Sequence, residues 1–510
     1  MPFYQTKQRE HYVMKYSNFK ILLIYANEPF TLLMPIGISS IAAKLKQEGF
    51  DVKVFDTTYY RTDQKTGNLY RESSFQVSKV DYSEVGIKER EGEELLKDFL
   101  ETVMEYKPNL IGLSSTEVTH DLGITLLNLV ADRGIVTMVG GVHTTFNPDE
   151  VLSEECVDII CTGEGELAIA ELCKRLSDGN DYLDIPNIWV KSKGRICKNG
   201  YGELVDITKL SPPDFEVFDS KRIYRQMAGV FYKMLPLEFS RGCIYNCAYC
   251  SAPAFATLFG GVGKWFRIKD LDQIFREIDL MIEKFQVEYF YIVSETFLAM
   301  PRNIFDEFVK RYQKIRIPFW FNTRPETINE EVVGKLEETN CHRMSIGIEC
   351  GNEKYRRDML KRNVSNKKII EACKIVEKST IQFSVNNIIG FPDETRETII
   401  DTIKLNRAFV ADSHSCSIFQ PFGGTPLRQY CVDNQYIDPE FRVRNFYEPS
   451  LSMPSITKEE IKGLFRTFQL YIRCDEEDFI ELQKAEKDTE YGNKVFKFYS
   501  KKLLSNNVNS

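Results

Sequence analysis

SRGCIYNCAYCSAP, residues 240–253, decides the fold because it places three cysteines, Cys243, Cys247 and Cys250, in one short loop. The spacing is C-x3-C-x2-C, and the loop follows the apolar run MLPLEFS, which predicts a strand. A closely spaced set of thiolates selects zinc or an iron–sulfur cluster. Structural zinc normally takes four ligands, and the next cysteine downstream is Cys341. The spacing favours an iron–sulfur cluster with one open iron. A zinc knuckle and three buried structural cysteines remain alternatives.

Length, composition and charge indicate a globular protein of several domains. The chain has 510 residues, which corresponds to about three domains. Its residues are 43% hydrophobic and 27% charged, as in ordinary globular proteins. The net charge of −8 disfavours non-specific binding to a phosphate backbone, so no nucleic-acid partner is expected. The five histidines show neither metal-binding spacing nor a nucleophile dyad, and a hydrolase is not predicted.

Cysteine usage and the lack of long apolar runs point to the cytoplasm. The uncharged runs fall short of a membrane span, and the first residues lack the apolar segment of a secretory signal. Most of the thirteen cysteines are scattered singly, which favours free thiols or metal ligands in a reducing compartment. We therefore expect a cytoplasmic protein without a membrane span.

The first part of the chain has the pattern of a doubly wound α/β domain. Five apolar runs separated by helical patterns predict buried parallel strands covered on both faces. These runs are residues 20–25, 51–56, 109–115, 134–141 and 157–166. Ligands of such sheets bind beyond the carboxyl ends of the strands. The residues predicted there, mostly small or polar, are Ser114, Ser115, Thr116, Gly140, Gly141, His143, Thr144, Gly163, Glu164, Gly165 and Glu166.

A second series of strands and helices begins just before the cysteine loop. Six apolar runs alternate with helical patterns, which predicts a second parallel α/β body, a partial barrel. They are residues 234–240, 288–293, 320–322, 344–348, 383–389 and 416–421. The predicted organisation is a tail (1–18), the doubly wound domain (19–180), a hairpin and linker (181–232), the partial barrel (233–430) and a helical region (431–510). The polar stretch 59–91 is predicted to be an insertion.

The cysteine loop resembles the signature of radical S-adenosylmethionine (SAM) enzymes, including the aromatic residue before the last cysteine. Four further segments also resemble that superfamily, namely FNTRPE (321–326), SIGIECGNE (345–353), NNIIGFPDET (386–395) and PFGGTPL (421–427). Ser294-Glu295 stands where the family has an acidic motif, although it departs from the Gly-Gly-Glu form. The resemblance implies a partial (β/α)6 radical SAM barrel.

The N-terminal part resembles the Rossmann-like cobalamin-binding domain that is fused to many such enzymes. The resemblance rests on the segments 34–56, 140–150 and 161–166. The Asp-x-His-x-x-Gly motif that supplies a cobalt ligand in classical cobalamin enzymes is absent. Direct ligation of cobalt by His143 is therefore not expected. The resemblance implies that the residues at the strand ends bind cobalamin; a fold that binds nothing is the alternative.

The resemblance also implies individual roles. Cys243, Cys247 and Cys250 would hold a [4Fe–4S] cluster whose open iron binds SAM, and SAM cleavage would give a 5′-deoxyadenosyl radical. The residues implied to contact SAM are Tyr249 (adenine), Glu295 (amine), Arg324 (carboxylate), Glu349 (ribose) and Gly390 (adenine, through backbone). Structural roles remain open for each of them: loop packing for Tyr249, a surface acid for Glu295, an ion pair for Arg324, a buried carboxylate for Glu349 and a turn for Gly390.

The leading hypothesis is a cobalamin-dependent radical SAM methyltransferase. It would transfer a methyl group through methylcobalamin to an unactivated carbon or phosphorus of a small-molecule or natural-product substrate. A reducing donor such as flavodoxin or ferredoxin would supply electrons. One alternative is a cyclase or rearrangement enzyme with the same cofactors, and another is a non-catalytic iron–sulfur or corrinoid-binding sensor.

Overall fold

The computed structural model describes residues 16, 18–62, 71–74, 76–77, 79–192 and 194–507. The chain divides into two compact units. The first contains residues 1–64, 82–224 and 261–263, and the second contains the remainder. Most of the predicted tail lies outside the described residues. Among the described residues, no helix is both long and apolar enough to cross a bilayer.

The first unit is built on a sheet with seven strands in its described residues. They are β1 (Lys20–Tyr25), β2 (Asp51–Asp56), β3 (Leu110–Ser114), β4 (Val136–Gly140), β5 (Ile159–Cys161), β6 (Ile188–Ser192) and β7 (Arg195–Lys198). The spatial order is β2-β1-β3-β4-β5-β6-β7. Strands β1 to β5 are parallel, and the β6–β7 hairpin continues the sheet in antiparallel pairing. The apolar runs thus form the predicted parallel sheet, and the hairpin predicted within residues 181–232 is part of the same sheet.

Helices cover this sheet because the strands are apolar on both faces. They are α1 (Ile36–Gln47), α2 (Gly92–Tyr106), α3 (His120–Asn128), α4 (Val142–Phe146), α5 (Pro148–Ser153) and α6 (Glu166–Asp178). The core contains fully buried strand residues such as Leu22, Ile24 and Ile111, packed against Phe99 of α2 and Leu126 of α3. Each such side chain contributes about 1.5–3 kcal/mol by leaving water.

The second unit contains another sheet with seven strands in its described residues. They are β8 (Tyr224–Met227), β9 (Val230–Glu238), β10 (Tyr289–Val293), β11 (Phe319–Thr323), β12 (Cys341–Glu349), β13 (Gln382–Ile389) and β14 (Ser413–Ile418). They lie side by side in chain order, and β9 to β14 are parallel. This confirms the partial barrel. Its last strand begins and ends three residues earlier than the predicted run.

Helices alternate with these strands and then form the C-terminal region. They are α7 (Ser251–Leu258), α8 (Leu271–Phe285), α9 (Arg302–Tyr312), α10 (Glu330–Glu338), α11 (Glu353–Asp358), α12 (Asn366–Glu377), α13 (Arg396–Asn406), α14 (Pro426–Asp433), α15 (Lys458–Arg473), α16 (Phe479–Ala485) and α17 (Glu490–Asn507). The sequence predicted a helical region over 431–510 but not the bounds of α17, because the polar and aromatic residues of this helix show no clear helical stripe.

The predicted insertion 59–91 is divided between the two units. Its described residues 71–74, 76–77 and 79–81 belong to the second unit. Buried Gln76 accepts a hydrogen bond there from the backbone N–H of Cys416 at 2.9 Å. Cys416 lies on β14, the edge strand of the sheet. An edge strand exposes unpaired backbone groups, and the Gln76 side chain satisfies one of them.

Candidate functional site

The cysteine loop begins where β9 ends and is held at its start. Ser240 and Arg241 pair with Ile268 and Arg267 in a short antiparallel ladder. Gly242 has a φ of 85°, and a Cβ atom there would lie 2.7 Å from the backbone oxygen of Trp265. Only glycine fits this position without displacing neighbouring backbone. The loop therefore has a defined path before it reaches Cys243.

The three loop cysteines form a donor set suited to an iron–sulfur cluster. All three are free thiols; Cys247 is buried, and Cys243 and Cys250 are half-buried. Cys250 also caps α7, its Sγ accepting the Ala252 N–H at 3.5 Å. Within the described residues, no three His, Cys, Asp or Glu side chains converge on a single-ion site. Three cysteines in one short loop supply the soft thiolate ligands that iron–sulfur clusters take, so the loop fits such a cluster.

Two buried arginines converge on Cys247. Arg324 donates from Nη1 to Cys247 Sγ at 3.2 Å, and Arg362 donates from Nη1 to the same sulfur at 3.9 Å. The two residues are 7% and 3% exposed. The Arg324 guanidinium also stacks on the Tyr245 ring at 3.7 Å and pairs with Glu326. Arg324 thus contacts Cys247 of the loop, and the contact with the SAM carboxylate implied by the sequence stays a prediction.

Tyr249, Glu349 and Arg362 form a polar group next to the loop. Arg362 donates to Tyr249 Oη at 3.2 Å and to the Gly347 carbonyl at 2.6 Å, and its Nη1 lies 3.7 Å from Glu349 Oε1. Burial raises the pKa of Glu349, and Arg362 opposes that rise. The φ of Glu349 is 71°, an uncommon value for a residue with a side chain. Strained backbone of this kind clusters at functional sites.

Glu295 lies on another side of the loop. Its Oε1 accepts the Gly242 N–H at 3.2 Å, and neighbouring Thr296 lies with Oγ1 3.8 Å from Cys243 Sγ. The residue keeps contact with solvent, while surrounding protein atoms raise the pKa of its carboxyl to about 7 through desolvation. Glu295 therefore supports the loop and retains an accessible carboxyl. A role in binding the SAM amine stays a prediction.

Gly390 is buried directly after β13, and its backbone conformation favours glycine. Its φ is 79°, and a Cβ atom would lie 3.2 Å from Ile461 of α15. Glu394 accepts the N–H groups of Gly390 and Phe391 at 2.6 and 3.1 Å. The turn at Gly390 is sufficient to explain this glycine. Contact between its backbone and the adenine of SAM stays a prediction.

The Glu394 carboxyl makes protein stability depend on pH. It is fully buried, and burial raises its pKa from 4.5 to about 8. In the unfolded chain it ionises near 4.5, so its stabilising contribution is present below pH 4.5 and is lost as the pH rises towards 8. We expect the free energy of unfolding to fall by up to about 1.4 kcal/mol per pH unit in that window.

Denaturant titration of the second unit's unfolding transition at pH 6 and pH 8 measures this dependence. The Glu394→Gln variant keeps an acceptor for both N–H groups and does not ionise. Its slope between the two pH values should be flatter than that of the wild type. An equal slope in both proteins would exclude Glu394 as the source.

The carboxyl edge of the first sheet is lined mostly by small residues. Of the eleven residues predicted there, Ser114, Thr116, Gly140, Gly141, Gly163 and Glu164 are accessible, and Ser115, His143, Thr144, Gly165 and Glu166 are buried. The 13-residue helix α6 begins at this edge, and the N-terminus of a helix favours negatively charged groups of a ligand. These features fit the amide and phosphate groups of cobalamin.

His143 lies inside the first unit. It is 2% exposed, its ring packs on the His120 ring at 4.6 Å, and its Nδ1 lies 3.2 Å from the Asn147 amide. Nε2 lies 3.7 Å from Glu150 Oε1. A contact between His143 and cobalamin therefore stays a prediction.

Family models match both units. The radical SAM superfamily model matches residues 237–405, and the B12 binding domain model matches residues 23–173. The chain is a radical SAM enzyme with a B12-binding domain. The resemblance inferred from the cysteine loop and from the first sheet is confirmed.

Relatives of this radical SAM enzyme include methyltransferases and cyclases. An uncharacterized methyltransferase from Pyrococcus horikoshii is 24% identical over 375 residues, which cover 72% of this chain and 79% of that protein. Anaerobic magnesium-protoporphyrin IX monomethyl ester cyclase from Rubrivivax gelatinosus is 24% identical over 383 residues, covering 71% of this chain and 65% of that protein.

The radical SAM methyltransferase TsrM from Kitasatospora setae shares the fold. It was solved with cobalamin and a [4Fe–4S] cluster bound; the TM-score is 0.59 at 15% identity, covering 81% of this chain and 78% of that one. Another TsrM structure contains a tryptophan substrate and a SAM analogue. The predicted cofactors of this radical SAM enzyme, a [4Fe–4S] cluster, SAM and cobalamin, are those of its two domains.

Sequence analysis of this radical SAM enzyme missed Arg362, Glu326 and Glu394. Arg362 stands in the segment LKRNVS, where two adjacent cations resemble a solvated turn. Its burial depends on contacts with Gly347 and Tyr249, which are 15 and 113 residues away in sequence. No local pattern carries that information. Glu394 lies in the segment NNIIGFPDET, but its hydrogen bonds to the turn are seen only in the structure.

Proposed function

We propose that this radical SAM enzyme methylates an unactivated carbon or phosphorus of a small substrate that carries hydrogen-bonding groups. The observation that carries the proposal is the polar and aromatic inner face of the barrel sheet. The same strands β10 and β12 lead to Glu295 and Glu349 beside the cysteine loop. A substrate on this face would therefore lie near the reacting centre.

Linked polar side chains cross four strands of that face. Asn322 Nδ2 donates to Tyr291 Oη at 2.7 Å, and Trp320 Nε1 donates to Ser345 Oγ at 2.8 Å. Ser345 and Ser384 hydroxyls lie 2.8 Å apart. The Tyr291 and Trp320 rings stack at 4.2 Å. Such a surface suits a planar or hydroxyl- and amide-bearing molecule better than a saturated lipid. The hydroxyl and amide groups of these side chains can make further hydrogen bonds beyond those to one another, and a lipid would bury them without partners.

The residues of this chain supply positions and exclude competing reactions. When bound, the cluster, SAM and cobalamin supply a 5′-deoxyadenosyl radical and a transferable methyl group. The cysteine loop and its arginines would hold the cluster, and Glu295 would accept the SAM amine as a carboxylate. The glycine-lined edge of the first sheet would bind cobalamin.

The test is incubation of the reconstituted enzyme with labelled SAM, hydroxocobalamin, a reductant and a polar metabolite extract. We expect 5′-deoxyadenosine and a labelled product heavier by one methylene. A cluster-free Cys247→Ala variant serves as the matched control and should give neither. Wild-type enzyme that produces neither compound would contradict the proposal.

Oxidative cyclisation or rearrangement is the second candidate, favoured by the similarity to the Rubrivivax gelatinosus cyclase. Product mass separates the two candidates. A gain of one methylene supports methylation, whereas loss of hydrogens or an isomer supports the second candidate. Cluster and cobalamin spectra without SAM cleavage would support a non-catalytic sensor. A flavodoxin or ferredoxin as electron donor and a cytoplasmic location remain part of the proposal.

A further inference from the structure

Cys247 differs from the other two loop cysteines in its surroundings. Its thiol is buried and faces two guanidinium groups, Arg324 at 3.2 Å and Arg362 at 3.9 Å. Cys243 has a hydroxyl neighbour, Thr296, and Cys250 has a backbone N–H, that of Ala252. The positive charge of the two guanidinium groups therefore lies beside one of the three sulfurs, that of Cys247.

Nearby carboxylates only partly balance these two charges. Glu326 pairs with Arg324 through Oε1, whereas the closest carboxylate contact of Arg362 is Glu349 at 3.7 Å. Two buried cations repel each other unless anionic groups lie between them. The Cys247 sulfur lies in contact with both arginines, and as a ligand of the proposed cluster it would be a thiolate and supply such a group.

A cluster held by three thiolates becomes more negative when it accepts an electron. Cations beside a ligand sulfur lower the energy of that added charge, most strongly where water is excluded. Hydrogen bonds to the sulfurs act in the same direction and are known to set cluster potentials. Both effects meet at Cys247.

We infer that Arg324 and Arg362 form a cationic clamp on Cys247 that raises the reduction potential of the cluster. The inference rests on the proposed cluster site and assigns both arginines as positioning residues that act through the cysteine. Arg324 is well placed for this role because its planar group is already fixed by Glu326 and by the Tyr245 ring.

Redox titration monitored by EPR, without SAM, tests the inference. The variants are Arg324→Gln, Arg362→Gln and the charge-retaining Arg324→Lys and Arg362→Lys, each reconstituted anaerobically with iron and sulfide and poised with dithionite. At a fixed potential, each Gln variant should show at least a tenfold lower ratio of reduced to oxidised cluster, which for one electron is about 59 mV. The Lys variants should stay closer to the wild type.

Arg302→Gln is the matched control, since Arg302 lies on α9 and pairs with Glu331 in the exposed part of the unit. It should leave the potential unchanged. An unchanged potential in both Gln variants would overturn the inference, and weaker SAM binding with an unchanged potential would assign the arginines to the SAM carboxylate instead.

Some variants could fail to assemble a cluster, which the iron content measures, and this result also tests the inference. Loss in the Gln variants with retention in the Lys variants supports the need for positive charge at Cys247. Loss in all four variants rejects it. The titration needs only an assembled cluster, so a wild type that yields no methylated product contradicts the proposed function without deciding this inference.

Discussion

The Cys250→Ala variant should lose its cluster and its ability to cleave SAM. Cys250 is one of three thiols in the C-x3-C-x2-C loop, and we propose that each holds a separate iron. Removing one ligand exposes a second iron and breaks the link between the cluster and α7, which Cys250 caps. We expect 5′-deoxyadenosine formation to fall by more than about 100-fold, because the loss of a mere outer-shell contact at a metal site can already cost about that much.

Iron content, the EPR signal of the reduced cluster and 5′-deoxyadenosine formation measure this loss. Cys197→Ala is the matched control: Cys197 is also half-buried, but it lies on β7 of the first unit. It should keep wild-type values for all three. A Cys250→Ala variant that retains both the signal and SAM cleavage would refute the assignment of the cysteine loop as the cluster site.

The Gly141→Ala variant should bind cobalamin more weakly than the wild type while keeping its cluster. Gly141 has φ 112° and ψ −173°, a region open almost only to glycine. An added Cβ atom would lie 2.3 Å from the backbone oxygen of Ser115, so the strand ends that line the edge of the sheet must shift. A strain of about 1–3 kcal/mol corresponds to cobalamin binding that is roughly 5- to 150-fold weaker.

Titration with hydroxocobalamin, followed by its absorption spectrum, measures the affinity. Gly134→Ala is the matched control, because Gly134 also has a positive φ, 68°, but a Cβ atom there meets nothing within 4 Å. It should bind cobalamin like the wild type. Methylation should fall in the Gly141 variant while reductive SAM cleavage continues. Unchanged cobalamin affinity would contradict the placement of the corrinoid at this edge.

Most of the fold could be predicted from sequence because its signals are local. The runs at 20–25 and 51–56 coincide with β1 and β2, and the helical pattern predicted between the runs at 234–240 and 288–293 corresponds to α8. Apolar runs separated by helical patterns suffice to indicate parallel sheets, since both faces of each strand must be buried. The helix α17 shows the limit: its position depends on packing against other helices.

The candidate site was predictable only in part. Arg324 was found because it stands in a recognisable segment, yet its contact with Cys247 spans 77 residues. The contact of Arg362 with the same sulfur spans 115 residues. Eleven residues were predicted at the edge of the first sheet, and some of them, such as Thr144, are buried while others, such as Thr116, are accessible. Residue type does not reveal that difference.

The sequence by itself determined the cysteine loop, the order of strands and helices and the two domain types. Each is written in residues that stand next to one another or repeat at short intervals. Only the tertiary structure decided which charges surround Cys247, which carboxyl holds the turn at Gly390 and which side chain covers the edge strand at Cys416. Those contacts join residues distant in the chain, and they form because buried polar groups and unpaired backbone groups must find partners once water is excluded.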